Sequence, residues 1–210
     1  VQLRLATPIT SEDYINGKLW QHATLNACPW HPKGGCGFSR HGTYSRVKPA
    51  NTRVARWYCP KAKHTVSALP DCLASHRSGT LEECEAIVRT VERCSSREIA
   101  CQFLRTDIEL PGALRYVARL VRDIHQALAG IKGLYPLRFT QMPTIQAFSE
   151  QVDHQHAVLM SLRQISSPYL HQLPTPLGFN PSRNATHTRS FVFQHRAGRD
   201  PPAAFIEAPC

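Results

Sequence analysis

Between Tyr14 and Pro70 the chain contains no aspartate and no glutamate, although Lys18, Lys33, Arg40, Arg46, Lys48, Arg53, Arg56, Lys61 and Lys63 all lie there. A surface with cations and no carboxylates is the electrostatic footprint of one that lies against phosphates. That segment nearly accounts for the formal net charge of +10 over 210 residues. Other absences narrow the class further. No run approaches the roughly 18–20 consecutive apolar residues of a membrane span, and the N-terminus has neither the basic region nor the apolar stretch of a secretory signal. A cytoplasmic, membrane-free location is expected, bacterial and associated with the nucleoid when on DNA. No phosphate-binding glycine loop, dinucleotide fingerprint or Ser/His/Asp arrangement occurs. After Ile131 the only carboxylates are Glu150, Asp153, Asp200 and Glu207, too few to hold two Mg²⁺ ions for phosphoryl transfer. The expectation is a protein that is not an enzyme.

With 42% hydrophobic and 19% charged residues, the composition is that of a folded globular chain. Its charge alternates in blocks: residues 81–109 carry seven carboxylates against four arginines, and residues 110–140 five basic residues against one aspartate. Such blocks mark sub-domains.

Eight cysteines, at 28, 36, 59, 72, 84, 94, 101 and 210, are spread too widely for a small disulfide scaffold. Cys84, Cys94, Cys101 and Cys210 read as reduced thiols. Cys28, Cys36 and Cys59 differ, since each opens or closes a turn rich in Pro, Gly and His: CPWHPKGGCG and CPKAKH. A structural zinc site needs four N or S ligands, usually delivered by two short knuckles on either side of a hairpin. Thr43–Val47 and Thr52–Tyr58, joined by Lys48-Pro49-Ala50-Asn51, read as that hairpin. The preferred Zn²⁺ ligand set is Cys28, Cys36, Cys59 and His64, with His31 as the substitute.

After Pro70 the texture becomes helical. Thr80 caps a first helix with Leu81, Cys84, Ile87, Val88 and Val91 on one side. Ser95 with Glu98 predicts a capping box for a short second helix that buries Ile99, Ala100, Phe103 and Leu104. Pro111 starts a third, running to Ala129 and closed by Gly130. On it Leu114, Val117, Val121, Ile124 and Leu128 form an apolar face, and Arg115, Arg119 and Arg122 recur at i, i+4, i+7 on the other side. Three helices with a basic last one match the order of a helix-turn-helix unit, whose last helix enters a major groove. Arginine suits that task, because its planar fork makes paired bonds to guanine edges or phosphates.

The stretches CPWHPKGGCGFSRHGTYSR and RVARWYCPKAKHTVSALPDCLA, followed by three helices, resemble the zinc-ribbon plus helix-turn-helix N-terminal regions of bacterial insertion-sequence transposases and their stand-alone relatives. The resemblance covers about residues 28–125 and implies DNA binding at mobile-element ends or a related regulatory site. Cys28, Cys36 and Cys59 match its ligand positions, whereas Ala62 and His64 stand where a cysteine pair is usual.

Residues 144–152 and 157–170 carry two further helical patterns. From Leu173 the chain is proline-rich, which predicts an extended tail with one strand-like island at Ser190–His195. The expected fold class is α+β and mainly α: an arm (1–27), a zinc-ribbon-like hairpin domain (28–70), a helical domain (71–172) with a helix-turn-helix-like unit at about 80–129, and the tail (173–210). The expected function is a DNA-binding accessory or regulator related to transposition. Its partners would be duplex DNA, contacted by Arg40, Arg46, Arg53, Arg56, Arg115, Arg119 and Arg122, and a transposase or recombinase. Two other readings remain: an RNA-binding ribonucleoprotein component that stacks bases on Phe38, Tyr44, Trp57 and Tyr58, and a protein-interaction adaptor in a recombination complex.

Overall fold

The computed structural model describes residues 1–104, 110–153 and 155–180; the 105–109 connection and the 190–195 island lie outside them. Within the described residues the fold is an α+β mix. Four strands, β1 (Gln2–Leu5), β2 (Ser39–Ser45), β3 (Arg53–Cys59) and β4 (His64–Pro70), form one sheet in the order β1-β4-β3-β2. Six helices accompany it: α1 (Ser11–Asn16), α2 (Leu81–Arg93), α3 (Arg97–Leu104), α4 (Leu110–Leu134), α5 (Ile145–Ser149) and α6 (Val158–Ile165).

The predicted hairpin is β2 and β3, with Tyr44 opposite Val54 and Arg40 opposite Trp57. The chain turns again after Cys59, and β4 pairs with β3 as a third antiparallel strand, with Trp57 opposite Val66. Alternation decides what this sheet buries. Ala55, Trp57, Val66 and Ala68 share one face by register and are all buried. Residues 1–27, expected to be an arm, help build this core. β1 adds to β4 in parallel, Tyr14 is fully buried and donates its hydroxyl to the Arg53 carbonyl at 3.1 Å, and Trp20 meets the Tyr14 ring edge-on. Pairing over such a sequence distance leaves no local signal, which is why the arm reads as separate.

The helices follow their apolar periodicity with adjustments at the ends. Thr80 and Glu83 make a reciprocal capping box at the start of α2. For α3 the cap is Ser96, which accepts the Ile99 N–H at 3.2 Å, one residue later than expected. Only Ala100 and Cys101 of that helix are buried, whereas Ile99 and Phe103 are 39% and 51% exposed. Cys84 and Cys101 are free, as expected, but Cys94 is disulfide-bonded, because position along the chain does not determine which thiols a fold brings together. α4 does not stop at Gly130. It continues to Leu134, because the apolar face runs on through the fully buried Ile131, whose burial, roughly 1.5–3 kcal/mol, exceeds the ~1 kcal/mol cost of a helical glycine. Gly130 also has a packing role: a Cβ there would lie 2.9 Å from Leu173.

Leu173 belongs to the segment expected to be tail. Instead, Leu173, Thr175 and Leu177 are buried, so the packed structure extends to at least Asn180. An arginine holds this segment in place. Arg163 of α6 is fully buried, and its guanidinium donates to the carbonyls of Leu177 (2.8 Å), Leu73 (2.7 Å), Asp71 (3.0 Å), Pro176 (2.5 Å) and Pro70 (3.5 Å). Burial pulls its pKa down to about 10, against the nearby Asp71 charge, so it is a cation at neutral pH. Asp71 is itself paired with Arg4 of β1 at 2.7 Å. One hydrophobic core therefore runs from Tyr14 through the sheet and helices to Leu177.

Candidate functional site

Cys28 and Cys36 bracket a loop that must double back. The His31 N–H donates to the Cys28 carbonyl (3.2 Å) and the Gly34 N–H to the His31 carbonyl (2.9 Å). Gly34 and Gly35 then take φ of +82° and +71°, a left-handed pair that residues with a Cβ rarely adopt. Cys36 is thereby returned to Cys28. Cys59, the last residue of β3, is delivered from the sheet and accepts the Ala62 N–H at 3.4 Å. The main chain at Ala62 thus meets the thiol where a CxxC pair would place its second cysteine.

The fourth corner is His31. The ligand atoms of Cys28, His31, Cys36 and Cys59 all lie within 4.8 Å of one another, with His31 Nδ1 at 3.7 Å from Cys28 Sγ and 3.5 Å from Cys59 Sγ. The preferred His64 is not in the group. It lies opposite Cys59 in the β3–β4 register, but its ring packs on Trp30 with centroids 5.2 Å apart, and the residue is exposed. His31, and not His64, therefore completes the candidate ligand set.

These residues fit a metal ion. Zinc–thiolate bonds of about 2.3 Å in a tetrahedron place sulfurs about 3.8 Å apart, and the ligand atoms here all lie within 4.8 Å of one another. The three cysteines are buried, and they pack with Trp30, Phe38 and Ala62 as a group of their own. Burial opposes ionisation of Cys28, but hydrogen bonds from His31, the backbone at Trp30 and His31, and the Cys59 thiol outweigh it and hold its pKa at about 6. Cys36 is pushed up, mainly by burial and by its two thiol neighbours. Three thiols crowded around one imidazole can each release a proton to solvent and bind a cation as thiolates.

The seven proposed contact arginines separate into two groups. Arg40 donates to the carbonyls of Gln21 (2.7 Å), Ala23 (3.2 Å) and Trp20 and lies over the Trp57 ring. Arg46 donates to the carbonyls of Ala74 (3.1 Å), Lys48 (3.4 Å), Gly79 (3.5 Å) and Arg77, and burial lowers its pKa. Both guanidinium groups tie loops to the sheet and have few donors left for a ligand. Arg53 is exposed, and Arg56 is half-buried over the Tyr44 ring. On α4, Arg115, Arg119 and Arg122 are all exposed. Arg122 pairs with Asp123 at 3.0 Å, and Asp123, buried, also holds Arg77.

The proposed stacking aromatics separate in the same way. Trp57 is 5% exposed and belongs to the core, and Phe38 packs against the cysteine group. Tyr44 and Tyr58 are half-exposed on the other face of the sheet. Among the described residues no helix is long and apolar enough to cross a membrane. No family model matches this chain, and neither a curated protein nor a solved structure matches it.

Proposed function

We propose that this chain is a non-catalytic DNA-binding protein, an accessory or regulator related to mobile-element transposition, whose ribbon is closed by zinc. The observation that carries the DNA reading is the division of α4. Ala113, Val117, Leu120, Val121 and Ile124 are buried, while Arg115, Arg119 and Arg122 lie together on the exposed side. Arg115 and Arg119 have no carboxylate partner among the described residues, so their charge is free for phosphates or guanine edges. Exposed Arg53 adds to this from the carboxylate-free ribbon. The link to transposition rests on the residue resemblance of the ribbon. Three thiols and an imidazole near tetrahedral spacing favour zinc over harder ions such as Mg²⁺. When bound, the ion would fix the Cys28–Cys36 loop to the end of β3; the chain's own residues make every contact with DNA.

The test is duplex binding by fluorescence anisotropy across a salt series. Each phosphate contact contributes about −0.9 to the slope of log K against log salt. Arg115→Ala with Arg119→Ala is expected to weaken duplex binding and to reduce the slope by about 1.8. Unchanged affinity and slope would remove α4 from the interface.

A further inference from the structure

The sheet has a second face that the core uses only at one end, where Val54 and Leu69 are fully buried and Tyr44 packs against them. By register, Tyr44, Arg56, Tyr58, Thr65 and Ser67 lie on the side opposite Trp57, and each is half-exposed. The exposed His41 ring lies 5.6 Å from that of Tyr58, and the Arg56 guanidinium lies 5.8 Å from the centre of the Tyr44 ring. Two aromatic–cation or aromatic–imidazole pairs thus stand side by side, edged by hydroxyls from β4, on a stretch of chain without a single carboxylate.

This face does not suit a duplex. A flat sheet face is too broad for a groove, and its rings need partners with an open π-face, which paired and stacked bases do not present. It suits bases that are already unpaired, which stack on Tyr and Arg planes whatever their sequence while hydroxyls and cations take the backbone. From this juxtaposition we propose that the outer sheet face, centred on Tyr58 and Arg56, binds single-stranded DNA. The proposal rests on the reading of this chain as a DNA-binding protein and assigns the sheet a role distinct from that of α4.

The experiment uses the full chain with a labelled thymidine oligonucleotide of about 15 nucleotides, a uridine oligonucleotide of the same length and a blunt duplex. Tyr58→Ala is expected to weaken thymidine-oligonucleotide binding about tenfold, with Tyr58→Phe close to the parent and duplex binding unchanged in both. Ultraviolet crosslinking of an iodouracil-substituted oligonucleotide to the unaltered protein needs no variant and should label the tryptic peptide Trp57–Lys61. An oligonucleotide affinity unmoved by Tyr58→Ala, or a crosslink confined to other peptides, overturns the proposal. So does equal loss of duplex and single-strand binding. Tighter binding of the uridine oligonucleotide by tenfold or more would overturn the choice of DNA. Duplex binding without any oligonucleotide binding refutes the sheet proposal and leaves the α4 reading standing, whereas failure to bind either refutes both.

Discussion

Replacing Arg163 tests how this fold is held together. Two effects compete. Burying a guanidinium carries a large desolvation penalty, and exchanging a whole buried ion pair for apolar residues is often neutral or stabilising. Here, however, the acceptors are main-chain carbonyls, which no side-chain substitution removes. Arg163→Met would relieve the desolvation of one cation and leave the carbonyls of Leu73, Asp71 and Leu177, all within 3.0 Å of it, without their donor, whereas the Pro176 carbonyl keeps the Ser75 N–H at 3.0 Å. A buried polar group left unsatisfied costs about 1–3 kcal/mol. Three such groups therefore cost roughly 3–9 kcal/mol, and after a few kcal/mol of relief the net loss is about 3 kcal/mol, a large part of the 5–15 kcal/mol typical of a whole domain. Arg163→Lys should fall between, because an ammonium has three donors on a single nitrogen and cannot span carbonyls from both segments. Urea unfolding followed by tryptophan fluorescence, extrapolated linearly, measures this. An Arg163→Met protein within about 1 kcal/mol of the parent would show that the carbonyls find other partners and that the arginine is not the tie described here.

Three further outcomes are expected. His31→Ala should lower bound zinc in purified protein and Cys59→Ser should abolish it, whereas His64→Ala should leave it near one equivalent; loss on changing His64 alone would reverse the ligand assignment. Acid should weaken the joint between α2, α4 and α5. Burial would raise the Glu92 pKa, but the His125 imidazole at 2.9 Å and the N–H groups of Ile145 and Gln146 lower it below the usual carboxylate value. A depressed folded-state pKa contributes stability that is present above the unfolded value of about 4.3 and lost as pH falls through the folded one. Glu92→Gln should therefore lower Tm at pH 7 and flatten its decline toward pH 3, and parallel Tm curves would refute the coupling. Finally, Arg46→Ala should lower Tm while leaving the salt slope of duplex binding unchanged, since its donors are turned to carbonyls.

Local signals carried much of this structure. The Lys48–Asn51 turn marks the hairpin, Thr80 and Glu83 mark the start of α2, and the apolar repeat from Val117 to Leu128 marks α4, because each depends on neighbours a few residues away. The three ligand cysteines are legible for the same reason. What escaped depends on contacts between distant segments. Nothing near Gln2–Leu5 indicates a parallel partner at Ser67–Pro70. Arg40, Arg46 and Arg163 look like surface cations in sequence, and only the folded chain reveals which carbonyls surround them. The choice between His31 and His64 is of this kind, since both lie near a knuckle and the direction of each ring is set by packing, with Trp30 holding His64 away. The proline-rich composition beyond Leu173 misleads because Arg163 supplies the partners that an extended segment otherwise takes from water.

Among the described residues the cysteine group is joined to the main core only through Phe38, which packs on both, and this shapes how the protein would respond to scarce metal. The cohesion of the sheet and helices comes from Tyr14, Trp57, Leu120 and their neighbours, none of which is a ligand. Ejecting the ion would therefore open a corner and leave the remaining chain folded, a local event on the scale of one loop and one hairpin turn. Occupancy could then rise and fall with the free concentration of the ion while the amount of folded protein stayed constant. The ribbon tip would behave as a clasp that reports on metal supply, and the helices would not register the change.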